Sequence, residues 1–209
     1  MNTRRPMLDA DIVNQLRSAA SPPPPAALRR SRARVSDWFT KSAPVIQWGE
    51  TRSPLGRLFI AVSPQGLCAV DFGRSEVEFL RRLDPRARLQ KDRQAVEQVT
   101  AQLYEYFSGD RSRFDLPVDL SALTPFQQSV LETARRIGRG EVWTYHRVAR
   151  EMGRPKSSRP VGQALARNPV PIVIPCHRVV ASDGSLGGYS GGSGLEAKRW
   201  LLRLEGALS

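Results

Sequence analysis

Residues 168–178 read Asn-Pro-Val-Pro-Ile-Val-Ile-Pro-Cys-His-Arg, an apolar run bounded by prolines that leads into a cysteine next to a histidine. A glycine-rich stretch follows between residues 184 and 194. A thiolate is the nucleophilic form of cysteine and a neighbouring imidazole favours it, so Cys176 and His177 are a candidate nucleophile and base. Adjacent side chains of an extended segment point to opposite sides, however, and a free cysteine is commonly a small buried hydrophobe. The dipeptide alone leaves both interpretations open.

Three helical patterns precede this segment. The first starts at Thr124 with the signature of a capping box, in which a threonine and a glutamine three residues later satisfy free N–H groups. The second runs from Thr144 to a stop at Gly153. The third follows after Pro155, with Ser157 as its N-cap, and ends near Asn168; a four-residue turn containing glycine joins the two. Two short helices joined in this way are a helix-turn-helix candidate, although most such pairs are merely structural. Residues 121–209 are therefore predicted to be mainly helical.

Residues 44–120 have the pattern of a small sheet covered by helices. Short apolar runs at 45–48, 58–62 and 67–72 are typical of strands joined by short turns, which predicts an antiparallel meander. Two helical patterns follow between residues 77 and 107. The fold class predicted for the chain is α+β: a small antiparallel-sheet N-terminal domain with helices, followed by a mainly helical C-terminal domain that contains a helix-turn-helix.

The charge of the chain is concentrated at its two ends. The whole sequence carries 32 Lys and Arg against 20 Asp and Glu, a formal net charge of +12, which indicates a polyanionic partner. Residues 1–43 hold 8 basic against 3 acidic residues, residues 44–120 hold 11 against 11, and residues 121–209 hold 13 against 6. The first segment contains four prolines at 22–25 and an arginine-rich run at 29–34. We predict a basic, disordered, solvated extension there, with a nucleic-acid-binding arm as the alternative.

Several classes of protein are excluded by composition. No apolar run approaches the roughly 18 to 20 residues of a membrane span, so we expect a soluble, cytoplasmic chain with no membrane partner. The only cysteines are Cys68 and Cys176, and the only histidines are His146 and His177. Their spacing does not resemble that of a metal site, so we expect no metal and no cofactor. Cys68 falls within a predicted strand and is interpreted as a small core residue.

The motifs around the cysteine closely resemble those of the O6-alkylguanine-DNA alkyltransferases. They are the tetrapeptide Pro-Cys-His-Arg at 175–178, the Asn-Pro-Val-Pro before it, and the Gly-Gly-Tyr-Ser-Gly-Gly at 187–192. The resemblance runs from residue 124 to residue 206. Residues 53–72 resemble the amino-terminal domain of that family more loosely, and residues 1–43 match nothing that we identify in it.

The resemblance implies direct, irreversible repair of DNA. Members of the family bind duplex DNA through a helix-turn-helix, flip an O6-alkylguanine into a pocket and transfer its alkyl group to a cysteine without turnover. For this chain it implies a single-turnover methylated-DNA–protein-cysteine methyltransferase. The expected substrate is double-stranded DNA containing O6-alkylguanine, chiefly O6-methylguanine, with O4-alkylthymine as a further lesion. We expect the chain to act as a monomer.

The resemblance assigns the reaction chemistry to a short set of residues. Cys176 would be the alkyl acceptor, His177 would act as its base through a bound water, and Glu205 would orient the imidazole, in the manner of a catalytic triad. Asn168 would hold the turn between the recognition helix and the active-site segment. Together with Tyr145, these residues form the predicted catalytic set.

Lesion binding is assigned to a second set. Tyr145 would hydrogen-bond the flipped guanine and help to turn its phosphate. Ser190 would donate toward O6, where negative charge develops in the transition state. Backbone carbonyls at Cys176 and Val179 would accept from the guanine amine, and Tyr189 completes the predicted substrate-binding set.

DNA contacts are assigned to the third helical pattern and its surroundings. Arg159 would enter the duplex in place of the extruded base. Pro160 follows it directly, but in the first turn of a helix the missing N–H of proline has no helical partner anyway. The predicted DNA-binding residues are Arg159, Lys156, Ser157 and Arg167.

Other functions are compatible with parts of the sequence. A non-catalytic protein that recognises alkyl lesions would lack the acceptor cysteine, which is present here. A helix-turn-helix DNA-binding regulator would leave Pro-Cys-His-Arg and the glycine-rich loop without a purpose, and a thiol hydrolase would require turnover. Single residues have structural alternatives as well: Glu205, for example, could be half of a surface ion pair with Arg203 or Lys198.

Overall fold

The computed structural model describes residues 43–208, together with residues 25, 26, 28 and 29. The extension predicted for residues 1–43 therefore falls almost entirely outside the described residues. The chain from Pro44 onward forms one compact unit. None of the helices in the described residues is both long enough and apolar enough to cross a membrane.

The N-terminal half contains a four-stranded sheet. Its strands are β1 (Val45–Ser53), β2 (Gly56–Ser63), β3 (Gly66–Phe72) and β4 (Arg88–Lys91), in the spatial order β3-β2-β1-β4. The first three strands pair antiparallel, which confirms the predicted meander. β4 joins β1 in parallel and was not predicted. All four of its residues are exposed, so it carries no apolar alternation that would reveal a strand.

Two helices accompany the sheet, and both lie where the sequence predicts them. α1 (Glu76–Arg81) places Phe79 against one face of the sheet, where its ring stacks on Phe59 with 5.3 Å between centroids. α2 (Glu97–Ser108) ends at Gly109, whose φ of +91° is a conformation that glycine adopts without strain. α2 packs on the side of the sheet that faces the C-terminal half.

The C-terminal half is mainly helical, as predicted, and its two very short strands pair in parallel. A 3-10 turn covers Cys176–Arg178. The regular elements are α3 (Pro125–Ala134), β5 (Trp143–Thr144), α4 (Tyr145–Glu151), α5 (Ser158–Leu165), β6 (Val179–Val180) and α6 (Leu195–Leu204).

The helix starts test the sequence predictions in detail. The capping box at Thr124 is confirmed, because its Oγ1 accepts from the N–H of Gln127 while the side chain of Gln127 accepts from the N–H of Thr124. Ser157 is the N-cap residue of α5, but its side chain makes no capping hydrogen bond. The connection between α4 and α5 is six residues long, 152–157, rather than four, because α4 ends at Glu151, before the predicted stop at Gly153, and α5 begins only at Ser158.

One hydrophobic core runs through both halves of the compact unit, so the sheet directly supports the C-terminal loops. The N–H of Val70 in β3 donates to the carbonyl of Pro169 at 2.8 Å. The carbonyl of Phe72, at the end of the same strand, accepts from the N–H of Gly192 at 3.1 Å. β3 thus holds the proline-rich segment before Cys176 and the glycine-rich loop after it.

Candidate active site

Asn168 organises the turn that leads to the cysteine. Its Oδ1 accepts from the N–H of Val170 at 3.0 Å, and its Nδ2 donates to the carbonyl of Ile174 at 2.9 Å and to Sγ of Cys176 at 3.1 Å. Within this turn Ile172 has a φ of +76°, which is rare for a β-branched residue. The turn is therefore a strained conformation that the Asn168 hydrogen bonds hold in place.

Cys176 is a buried free thiol at the start of the 3-10 turn. Burial raises its pKa, because a thiolate loses its hydration there. The hydrogen bond from Asn168 and the positive charge of Lys198 act in the opposite direction and favour the thiolate. At rest the thiol of Cys176 is therefore protonated, although groups that would stabilise the thiolate already surround it. Because the thiol must lose its proton to react as a nucleophile, the reaction requires a base.

His177 and Arg178 both bind the carboxylate of Glu205. His177 Nε2 lies 3.0 Å from Oε1, and Arg178 donates through Nη2 to Oε1 at 2.7 Å and through Nε to Oε2 at 2.8 Å. Burial alone would raise the pKa of Glu205, but the hydrogen bonds from His177 and Arg178 hold that pKa well below its usual range. Burial lowers the pKa of His177, so its imidazole is neutral at pH 7.

The ionised carboxylate fixes the tautomer of the imidazole. Because a carboxylate only accepts, Nε2 of His177 must carry the proton that is donated to Glu205. The lone pair of the neutral ring is then on Nδ1. That atom is buried and has no hydrogen-bond partner among the described residues. His177 is therefore an oriented base whose free nitrogen is shielded from bulk water.

A buried lysine ties the loops around the site together. Lys198 in α6 is fully buried, and its Nζ donates to the carbonyl of Val179 at 2.5 Å, of Leu186 at 2.5 Å and of Gly188 at 3.4 Å. Burial lowers its pKa to about 8. Neither Lys198 nor Arg203 pairs with Glu205 in the described structure, so a surface ion pair is the wrong interpretation of that carboxylate.

Cys176 borders a cleft of about 720 Å³. Four other residues predicted from the sequence line it: Tyr145, Arg159, Tyr189 and Ser190. Tyr145 fits closely against the glycine-rich loop, since a Cβ at Gly187 would lie 2.8 Å from its hydroxyl oxygen. The hydroxyl of Tyr189 is buried without a hydrogen-bond partner among the described residues, and burial raises its pKa well above the usual value.

The remaining predicted residues lie outside the lining of the cleft. Lys156 and Arg167 are exposed at the two ends of α5, and neither they nor Arg159 pair with a carboxylate in the part of the chain that is described. Ser157 is half-buried at the N-cap position. Val179 is buried, and its carbonyl already accepts from Lys198, which leaves one lone pair for a ligand.

Sequence reasoning missed four polar residues of this region. Arg178 was noticed only as part of the tetrapeptide, Lys198 only as a surface partner of Glu205, and Arg139 not at all. Tyr106 falls in the second of the helical patterns predicted between residues 77 and 107, as one of its apolar positions, yet its hydroxyl donates to Glu205 Oε1 at 2.7 Å. Helical periodicity gives no signal for a tyrosine whose ring is in the core and whose hydroxyl reaches another element.

Comparison with known proteins identifies the family. Residues 125–207 match the model described as "6-O-methylguanine DNA methyltransferase, DNA binding domain", and residues 46–120 match the ribonuclease-like domain of the same methyltransferase. The chain is 38% identical over 157 residues to a methylated-DNA–protein-cysteine methyltransferase of Methanosarcina acetivorans, covering 74% of this chain and 95% of the relative. The chain belongs to the O6-methylguanine-DNA methyltransferase family. A methyltransferase of the same name from Shigella flexneri is 37% identical over 165 residues, 75% of this chain and 93% of the relative.

Solved structures of this methyltransferase family share the fold. The Mycobacterium tuberculosis OGT in complex with DNA superposes with a TM-score of 0.68 and 34% identity, covering 77% of this chain and 93% of that one. The O6-methylguanine-DNA methyltransferase of Pyrococcus kodakaraensis gives a TM-score of 0.55 at 28% identity, covering 78% and 99% of the two chains. The mixed α+β fold class is thereby confirmed, while the helix-turn-helix role of α4 and α5 stays a prediction.

Proposed function

We propose that this chain repairs alkylated DNA by moving one alkyl group, chiefly methyl, from O6 of guanine to Sγ of Cys176. As a member of its family the chain is a DNA repair methyltransferase. The observation that carries the residue assignment is the thiol beside the cleft, which accepts a hydrogen bond from Asn168 and is followed directly by the His177–Glu205 pair.

The reaction is an in-line displacement at the alkyl carbon. The S–C bond forms as the O6–C bond breaks, and the electron pair of the broken bond remains on the guanine. The guanine anion then takes up one proton at N1, which balances the proton lost by the thiol, and returns to its normal form. The thiol proton passes through a water to Nδ1 of His177. The bonds balance without a cofactor. A thioether has no easy route back to a thiol, so each molecule reacts once.

The cleft residues fit the recognition of an extruded base. The hydroxyl of Tyr145 and the exposed Ser190 border the same cleft as Cys176 and are donors for the guanine, Ser190 toward O6. The carbonyls of Cys176 and Val179 are acceptors for its amine, because a carbonyl oxygen has two lone pairs and each of these accepts one bond from a donor named in the described structure, the N–H of Val179 and Lys198 Nζ. Tyr189 supplies an aromatic wall whose ring lies 6.5 Å from that of Phe72.

The arrangement of α4 and α5 favours duplex DNA as the partner. We interpret the pair as a helix-turn-helix in which α5 enters a groove, with the scaffold sheet in residues 44–120 and the DNA-binding and reactive parts in residues 121–209. Arg159 lies at the start of α5 and also lines the cleft, so it can replace the flipped base. Lys156, Ser157 and Arg167 provide sequence-independent phosphate contacts, as a protein that scans any sequence requires. We expect one monomer per lesion.

The intact mass of the protein tests this function. After incubation with an oligonucleotide that contains O6-methylguanine, the chain should gain a single methyl increment. Cys176→Ala should gain none and still bind the DNA. No increment with excess substrate would contradict the proposal, and several product molecules per protein would indicate a hydrolase instead.

A second experiment tests the role of Arg159 in base flipping. Arg159→Ala should slow repair of duplex DNA far more than reaction with a free O6-alkylguanine base, because only the duplex requires extrusion. Arg154→Ala is a matched control in the connection just before α5, since the Arg154 guanidinium lies over the ring of Phe126 rather than in the cleft. Equal slowing of both substrates by Arg159→Ala would reject a flipping role.

A further inference from the structure

Tyr106 brings a hydroxyl from the sheet half of the molecule to the centre of the site. It lies in the third turn of α2, is fully buried, and packs against Phe107 and Phe114 with 5.4 Å between ring centroids in each pair. Its hydroxyl donates to Glu205 Oε1 at 2.7 Å. Among the described residues of the sheet half, it is the only side chain that bonds to the His177–Glu205 pair.

The carboxylate oxygen that orients His177 is therefore shared among three donors. Oε1 accepts from His177 Nε2, from Arg178 Nη2 and from the Tyr106 hydroxyl, while Oε2 accepts from Arg178 Nε. The two hydrogen bonds from Arg178 hold the carboxylate in the plane of the guanidinium but allow it to turn about the axis that joins the two groups, which would misalign its contact with the imidazole. The Tyr106 hydroxyl approaches Oε1 from another element and removes that freedom.

Tyr106 is itself held from both sides. The Arg139 guanidinium lies 5.2 Å from the centre of its ring and bridges α2 to the end of α6, with Nη1 donating to the carbonyl of Tyr106 at 3.4 Å and Nη2 to that of Leu204 at 3.0 Å. Burial, followed by the charge of Glu205, raises the pKa of Tyr106 far above its usual value, so the phenol remains a donor at every pH of interest. Packing alone would be served equally by phenylalanine.

We propose that Tyr106 is a positioning residue for alkyl transfer: its hydroxyl sets the basicity and orientation of His177 through Glu205. The inference rests on the proposed function and deepens it. The hydrogen bond spreads the negative charge of Oε1 onto the phenol, which lowers the attraction of Glu205 for a proton on the imidazole. His177 is thereby kept neutral in the resting protein with its Nδ1 lone pair available.

Several other charged and titratable groups lie around the His177–Glu205 pair, and the effect of the Tyr106 hydroxyl must be separated from theirs. Arg178 contacts Glu205 directly, Lys198 lies near both His177 and Cys176, and Arg139 lies over the Tyr106 ring. Tyr189 faces the same region with a hydroxyl that has no hydrogen-bond partner in the described part of the chain. All of these remain when the Tyr106 hydroxyl alone is removed, so a change in His177 reports on that hydroxyl.

The test uses Tyr106→Phe in the full chain, with Tyr104→Phe as the matched control. Tyr104 is in the same helix but is exposed, and its hydroxyl bonds to Thr51. The chain has only two histidines, so ¹⁵N NMR of the imidazoles resolves His177, with the exposed His146 as an internal reference. We expect Tyr106→Phe to raise the pKa of His177 by roughly half a unit and Tyr104→Phe to leave it unchanged.

The single-turnover rate of methyl transfer supplies the second measurement. Tyr106→Phe should lower that rate roughly fivefold and shift the acid limb of its pH profile upward. In a Glu205→Gln background the same substitution should change the rate less than about twofold, because the hydroxyl acts through the carboxylate. A fluorotyrosine at position 106 is a stronger donor and should move the pKa of His177 in the opposite direction.

The outcomes separate this inference from the proposed function. If wild-type protein transfers methyl and Tyr106→Phe changes neither the rate nor the His177 signals, the positioning role is overturned and the function stands. If the effects of Tyr106→Phe and Glu205→Gln on the rate simply add, the role is structural and the inference is likewise overturned. If wild-type protein transfers nothing, the proposed function fails, while the NMR titration still decides whether Tyr106 acts on His177 through Glu205.

Discussion

The two thiols of this chain lie in opposite electrostatic environments. Cys68, on β3 in the sheet half, donates from Sγ to the carbonyl of Ala61 at 3.3 Å. Burial, and then the negative charge of Asp119, raise its pKa to about 12. Cys176 is more deeply buried, and burial raises its pKa as well, but its other neighbours are Asn168, which donates to Sγ, and the cation of Lys198.

Burial therefore does not distinguish a reactive thiol from an inert one. The difference lies in what each sulfur would meet as an anion: a carboxylate beside Cys68, and donors with a positive charge beside Cys176. A base completes the contrast, because His177 follows Cys176 directly and no histidine is near Cys68 in sequence. Three substitutions test which of these differences matters, in decreasing order of expected effect.

Glu205→Gln should have the largest effect. It leaves the buried Arg178 without its anion and frees the His177 tautomer, which makes Cys176 resemble Cys68, a buried thiol with no oriented base. We expect the transfer rate to fall at least about a hundredfold and the free energy of unfolding in urea to fall by about 3 kcal/mol. Glu196→Gln, at an exposed position in α6, the helix that ends directly before Glu205, should leave the transfer rate unchanged.

The stability effect of Glu205→Gln should depend on pH. The pKa of Glu205 is lowered in the folded protein, so the carboxylate stabilises the fold above its ordinary unfolded pKa and loses that contribution as pH falls toward the folded value. The difference between wild type and variant should therefore be full at pH 7 and shrink below about pH 4. A difference that is constant from pH 7 to pH 3 would show that the charge of Glu205 is not what stabilises the network.

Asn168→Ala should have an intermediate effect. It removes the donor to Sγ, leaves the N–H of Val170 without its partner and leaves the carbonyl of Ile174 with the N–H of Cys176 alone, so the free energy of unfolding should fall by roughly 1–3 kcal/mol. The pKa of the Cys176 thiol should rise, because its anion loses a donor. Transfer should slow about tenfold at pH 7 and recover partly at higher pH. An unchanged pH profile would mean that the donor does not act on the sulfur.

Cys68→Ala should have the smallest effect. The thiol contributes one weak hydrogen bond and lies apart from the cleft, so the stoichiometry and rate of transfer should match wild type within about twofold. Titration of accessible thiols before and after the reaction provides the measurement. A clear loss of transfer in Cys68→Ala would contradict the interpretation of Cys68 as a structural thiol.

Much of the fold was predictable because its signals are local. The capping box at Thr124 requires only two residues three positions apart, and the meander requires only apolar runs with short turns between them. β4 was missed because every one of its residues is exposed. Its place beside β1 depends on backbone hydrogen bonds, which leave no pattern of apolar side chains in the sequence. The predicted ranges of α4 and α5 were too long, because the conformation of the last residues of a helix depends on the turn that follows and not on the spacing of apolar residues.

The residues of the site also divide into those with a local sequence signal and those without one. Cys176, His177, Asn168 and Glu205 were predicted from motifs, and the described structure brings them together. Tyr106, Arg139 and Lys198 were not, because their roles depend on long-range contacts: the Tyr106 hydroxyl meets a carboxylate 99 residues away in sequence. A buried lysine whose partners within residues 43–208 are all backbone carbonyls also contradicts the ordinary expectation for a charged residue on a helix.

Peptide mapping of the reacted protein tests the central claim most directly. After one exposure to DNA that contains O6-methylguanine, wild-type protein is digested and the two cysteine-containing peptides are weighed. We predict one methyl group per chain, found entirely on the peptide that contains Cys176, with Cys68 unmodified. A methyl group on Cys68, on both cysteines, or on neither would contradict the assignment of Cys176 as the acceptor.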